Sequence, residues 1–280
     1  MARGYVFRRN RFGRHACDDV NILPIKSTSL SVKDTAKDLT DSSYTIDIDY
    51  WSRQIVIENN TFRSTQGGVA IRAWWRSGKP LPIRLTLTGN TFINVGPSLP
   101  AIFVGVTRAA SITRNTFLEC TSASLIRLSG DYMVTENRFI NNTAPDCYID
   151  LFDGTNDGTE ANRNYWDTQD IHSIKAVICD CFMNTFRPCA NITDYYTSAD
   201  MTTLVSRPDA DDFRFKVRAD LNAVVVGGVV TSSSDTSVLT NSNMTVFVNR
   251  SIIVQPGVGL NLTAARFEFA ENRGVDVRGK

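Results

Sequence analysis

The residues best equipped for chemistry are few and scattered. Histidine occurs only at His15 and His172, neither within a Gly-His-Gly element, and no Arg-Ile-Lys segment accompanies them. Hydrolysis of an acidic polysaccharide needs clustered carboxylates as acid, base and water activator, with a histidine and a basic residue beside them. Asp18 with Asp19, and Asp211 with Asp212, are isolated pairs in loop-like sequence, the pattern of a solvated surface. A lyase would use calcium held by carboxylates on neighbouring strands, with an arginine as base. The stretch "DLFDGTNDGTE" offers Asp150, Asp153, Asp157 and Glu160, but its two Asp-Gly pairs read first as a turn, and the spacing departs from an EF-hand loop. These residues give no reason to assign a catalytic or metal role, and no cofactor is expected.

Other side chains point to the cell exterior. Six cysteines stand at 17, 120, 147, 179, 181 and 189, and the crowding in "CDCFMNTFRPC" makes Cys179, Cys181 and Cys189 the disulfide candidates. Zinc is the weaker reading, because Cys179 and Cys181 are too close for the usual paired ligands. Cys120 and Cys147 read either as disulfide partners or as buried free thiols. Glycosylation sequons begin at Asn59, Asn141, Asn191, Asn243, Asn249 and Asn261. Trp74 and Trp75, beside Arg72, Arg76 and Lys79 in "IRAWWRSGKPLPIR", form a candidate contact loop for a sugar ring or a protein, unless the loop folds back over the coil. Lys plus Arg total 30 against 29 for Asp plus Glu, a balance that gives no field to collect nucleic acid. Neither a signal-peptide-like start nor an apolar run of membrane-spanning length is visible, so this segment is not itself an anchor.

The elements that must position these residues come from a repeat. "IVIENNTF" returns as "TLTGNTF", "SITRNTF" and "MVTENRF", each with Asn two residues before Phe. From Asn10 through Asn60, Asn90, Asn115 and Asn137 to the aromatic variant at Asn164, successive intervals are 50, 30, 25, 22 and 27 residues. The first is long enough for two repeats, and "RSGKPLP" reads as an insertion in the second, which leaves a solenoid period. β-Branched or alternating residues precede each Asn, and short strand signals such as "AIFVGV" and "SLIRLSG" follow each Phe. Coils of parallel strands stack like residues at the strand spacing. Phe12, Phe62, Phe92, Phe117 and Phe139 then form an inner aromatic column. The paired asparagines also face inward, where their amides bond the backbone of the turn and the Asn of the next coil. The residue between, Thr or Arg, faces out.

A solenoid cannot end bare, because its last coil exposes a strand edge and the end of the column. In the cap element Asn164, Tyr165 and Trp166, the tryptophan is large enough to cover the last ring, and Ile171, Ile174 and Ile178 fall on one stripe of a short helix. Beyond the polar run "TSSSDTSVLTNSN", period-two alternation returns in "MTVFVNRSIIV" and "RFEFAENRGVDVRG". The sequence therefore reads as an all-β chain: a right-handed parallel β-helix with a C-terminal cap and the start of a second β-helix. Residues 1–44 would hold incomplete coils and a loop, 45–165 the β-helix repeats, 166–220 a helical cap and linker, and 221–280 the first coils of a truncated second β-helix. A start inside a repeat and an end after so few coils suggest a segment of a longer protein or an incomplete gene model.

The segment "NRNYWDTQDIHSIKAVICDCFMN", followed by "DYYTSADMTTLVSRP", "VVVGGVV" and "NRSIIVQPGVGLNLTAARFEFAENRGVDVRG", resembles the bark beetle (Anakonda) family. Asp167 stands where that family usually has glycine after Asn-Tyr-Trp. The resemblance implies a large epithelial membrane protein with several β-helix domains at tricellular junctions. The expected function is thus an extracellular, non-catalytic part of a junction-organising adhesion protein, anchored to the membrane elsewhere in the full-length chain. Its partners would be other cell-surface or junction proteins, homophilic contact included. The alternative is a diverged polysaccharide-active enzyme or carbohydrate-binding β-helix.

Overall fold

The computed structural model describes residues 5–278 apart from 9–10, 13–19, 23–29, 34–35, 40–45, 49–53, 65–69, 74–80, 97–98, 106, 130–131, 154–158, 183–186, 188, 207–212, 219–220, 233–238, 240–242 and 264–265; up to residue 54 it describes the backbone alone. Short strands separated by tight corners close into coils, and corresponding strands of successive coils pair in parallel to form three sheets. The first sheet runs from Tyr5–Arg8 through Gln54–Glu58, Leu81–Thr88, Thr107–Thr113 and Tyr132–Thr135 to Ala190–Asn191. The second contains Thr61–Ser64, Thr91–Ile93, Thr116–Leu118, Arg138–Ile140, Asn164–Tyr165 and Asp194–Tyr196. The third contains Ile71–Ala73, Ile102–Gly105, Ser124–Ser129, Cys147–Asp153 and Ile178–Cys179. This is a parallel β-helix.

Alternation explains its core. Ile55, Ile57, Leu85, Leu87 and Ile112 from the first sheet meet Ile71, Ile102, Ile126 and Ile149 from the third, all fully or almost fully buried. In-register pairing aligns Phe62, Phe92, Phe117 and Phe139 in the second sheet. The column does not continue directly to Phe12, because the register sets Lys37 on the rung between Phe12 and Phe62. That intervening rung accounts for the 50-residue first interval of the repeat.

Two expected boundaries move. Coils continue past residue 165, with strands of all three sheets at Ile178–Cys179, Ala190–Asn191 and Asp194–Tyr196. The cap is therefore embedded in a further coil, and the parallel order ends where Leu204–Ser206 pairs antiparallel with Asp194–Tyr196. The helix spans only Ile171–Ala176, and Ile178 is a strand residue rather than part of the helical stripe. Ile171, Ile174 and Ile178 all enter the core, so one apolar spacing serves two elements.

The second stack starts before residue 221. Phe213 is in its core, and Arg214–Arg218 pairs antiparallel with Ala223–Val230. Ala223–Val230 then pairs in parallel with Thr245–Val254, which pairs with Arg266–Phe269 and Val275–Val277, the start of another parallel coil. The glycines of "VVVGGVV" have a local cause: a Cβ on Gly227 would lie 2.6 Å from the Arg250 carbonyl oxygen, and Gly228 adopts φ 105° at a register shift.

Candidate functional site

Each inner asparagine is held by a repeating set of bonds. Asn90 donates through Nδ2 to Asn115 Oδ1 at 3.0 Å and to the Ile57 carbonyl of the preceding coil at 2.9 Å. Its own Oδ1 accepts from the backbone amide and Nδ2 of Asn60, both at 3.0 Å. Equivalent side-chain bonds of 3.1 Å join Asn115 to Asn137 and Asn137 to Asn164. Asn115, Asn137 and Asn164 likewise donate to the carbonyls of Leu87, Ile112 and Val134. Burying an amide without partners is costly, and this pattern supplies them. The ladder stops at Asn164, whose register neighbour in the next coil is Tyr195.

The rings beside the ladder stack at the strand spacing, with centroids 5.0, 4.8 and 5.1 Å apart from Phe62 to Phe139. Trp166 covers Phe139 at 4.8 Å and 16°. Thr116, between Asn115 and Phe117, is half-buried and outward. Asn59, Gly89, Arg114, Glu136 and Arg163, the residues before the ladder asparagines, all have φ between 56° and 66°. Asn94, Glu119 and Asn141, two residues after their rings, have φ between 50° and 53°. These left-handed residues make the corners at both ends of Thr91–Ile93, Thr116–Leu118 and Arg138–Ile140. At Gly89 a Cβ would lie 2.4 Å from Asn59 Oδ1, so a larger residue there would displace the exposed Asn59 side chain.

Asp167 forms the corner that follows the cap element Asn164, Tyr165 and Trp166. It also has a left-handed φ, 61°, which aspartate tolerates better than most residues. The amides of Asn94 and Glu119 donate to Leu118 and Ile140 carbonyls one coil on; at the equivalent corner the Asn141 amide donates to Asp167 Oδ2 at 2.9 Å. The other carboxylate oxygen accepts from the half-buried Tyr165 hydroxyl at 3.1 Å. Asp167 thus supplies an acceptor that glycine lacks.

Asp150, near the cap, is similarly engaged. Asp150 accepts from Arg187 and pairs with Arg127 Nε at 3.3 Å, while Arg127 also lies over the Phe152 ring at 4.7 Å. Asp150 and Glu160 do not converge, since they lie in the third and first sheets. Asp157 is outside the described residues, as is the Asp153 side chain. Cys147, Asp150 and Cys179 bring potential ligand atoms within 4.8 Å of one another, but the two sulfurs are bonded together and two guanidinium groups face the carboxylate. That donor set does not suit a cation.

Two disulfides, Cys147–Cys179 and Cys181–Cys189, join the three candidate cysteines and one distant partner. Among the described residues Cys120 is a free, buried thiol, and burial pushes its pKa up to about 11. His172 lies in the cap helix against Phe215, with ring centroids 6.1 Å apart. His15, Cys17, Asp18, Asp19, Asp211 and Asp212 lie outside the described residues, as do Trp74 and Trp75 of the expected contact loop. Asn59, Asn141, Asn191, Asn243 and Asn261 are exposed. Asn249 is different: its half-buried amide donates to the Phe182 carbonyl at 2.7 Å, so this sequon is engaged in a structural contact.

That bond belongs to the joint between stacks, which sequence patterns did not reveal. Arg214 and Asp180 pair at 2.9 Å with side chains 6% and 1% exposed. Arg214 also donates to the Lys175 carbonyl at 3.0 Å and covers the Phe182 ring at 4.9 Å. Asp180 accepts from the amides of Phe182 and Ala190, both at 3.1 Å, and these hydrogen bonds help offset the cost of burying its charge. Comparison with protein families, with curated proteins and with solved structures returns no match to this chain.

Proposed function

We propose that this chain is an extracellular part of an epithelial cell-surface protein that maintains cell–cell junctions by adhesion, without catalysis. The observation carrying the reading is the joint: two parallel β-stacks meet through a buried ion pair, which suits a stiff support spanning an intercellular gap. Two disulfides fit an oxidising compartment, and the exposed sequons agree with it. Asp150, Asp167 and Asp180 are engaged in corners and ion pairs, which favours support over chemistry. Side loops, including the one with Trp74 and Trp75, would contact a junction protein or a second copy, and the resemblance to the bark beetle family would imply attachment to a membrane.

A carbohydrate-binding reading has one observation in its favour. On the outer face of the third sheet, Phe103 and Phe152 stack 5.7 Å apart and Arg127 lies over both rings, a combination able to receive an acidic sugar. Beads coated with the secreted chain should adhere to epithelial cells or to one another, and incubation with pectin, alginate or glycosaminoglycans should release no reducing or unsaturated ends. Product release would overturn the non-catalytic reading; absence of bead adhesion would overturn the adhesive one.

A further inference from the structure

The two disulfides differ in access and position. Cys147 and Cys179 are buried inside the end of the β-helix, whereas Cys189 is exposed and Cys181 half-buried. The second bridge joins cysteines only eight positions apart, and contacts from the second stack converge on the ring it closes. Asp180, just before the ring, receives the Arg214 ion pair and the Ala190 amide from just after it. Phe182, inside the ring, receives the Asn249 amide on its carbonyl and the Arg214 guanidinium over its side chain. Arg187 ties the same ring to Asp150 of the third sheet.

We propose that Cys181–Cys189 is a reducible clasp: opening it releases the second stack from the first while the coils of the β-helix keep their core. The reaction is exchange with a dithiol reductant of the thioredoxin chemical class. A reductant thiolate attacks Cys189 Sγ, the S–S bond breaks, and Cys181 leaves as a thiolate that takes up a proton. The reductant's second thiolate then attacks its own sulfur in the mixed disulfide, releasing Cys189, which is protonated. Two electrons and two protons reach the protein, and the reductant becomes a disulfide. Opening the ring removes the constraint that holds Phe182 and Ala190 around Asp180, so the buried ion pair loses the hydrogen bonds that make its burial tolerable. This inference does not rest on the adhesive reading.

The test uses the full oxidised chain, titrated with dithiothreitol, alkylated and mapped by peptide mass spectrometry alongside amide hydrogen exchange. Cys181 and Cys189 should become alkylatable while Cys147–Cys179 remains joined. In that state amides of Arg214–Arg218 should exchange about tenfold faster or more, with Thr116–Leu118 unchanged. A folded Cys181→Ser, Cys189→Ser variant should show the same pattern without reductant, and selective reduction of the native chain supplies the reading if that variant does not fold. Earlier or simultaneous opening of Cys147–Cys179, unchanged exchange in Arg214–Arg218, or equal acceleration in both stacks would overturn the proposal.

Discussion

Asn115 and Phe117 serve adjacent columns from one short strand, and they contribute by different physics. The ring is buried between Phe92 and Phe139, whereas the asparagine accepts and donates along a chain of amides. Phe117→Ala leaves a cavity between two rings and should cost about 3–5 kcal/mol. Thr116→Ala, on the outward side of the same strand, should change stability by less than about 0.5 kcal/mol. Urea denaturation of the two variants checks this contrast, and equal losses would contradict the inward column. The corner before Asn115 depends on Arg114 at φ 57°, whose guanidinium pairs with Glu136 of the next coil at 2.7 Å. Both pair members are partly or largely exposed, so this ion pair contributes little beside the buried amides.

At the level of elements, the cap helix begins at Asp170, whose carboxylate accepts from the His172 and Ser173 amides and the Ser173 hydroxyl. Partial burial disfavours its charge, but those hydrogen bonds outweigh that effect and hold its pKa below the ordinary value. The stabilisation is therefore present above the unfolded-state pKa and lost as pH falls through the lower folded-state value. Asp170→Ala should cost about 1 kcal/mol near neutrality, and its difference from the native chain should shrink in acid, as denaturation midpoints at both conditions would show. The ladder was legible in the sequence because stacking demands the same residue on rung after rung. The corners were not, since Asn, Gly, Arg and Glu all occupy the left-handed position and share no side-chain signature. Ile178 resembled a helical residue because the apolar spacing fits both an inward strand and the end of a stripe. Cys147 gave no sign of pairing with Cys179, and Asp180 and Arg214 looked like ordinary charged residues, because long-range pairs become neighbours only when coils are laid on one another.

Across the whole molecule, the cap and joint answer the same problem: the exposed end of a strand stack. Trp166 covers the ring column, Tyr195 follows the last ladder asparagine, and Arg214 carries the second stack onto Asp180. The arrangement favours transmission of position along a support, with recognition left to outward faces and loops. The proposed adhesive role predicts enrichment of the protein where cells touch, and it predicts that loss of the protein disorganises the junction without altering polysaccharide composition. Imaging the tagged protein in a polarised epithelium is the most direct measurement. The account predicts concentration at lateral contacts or cell vertices, and a uniform cytoplasmic distribution would contradict it.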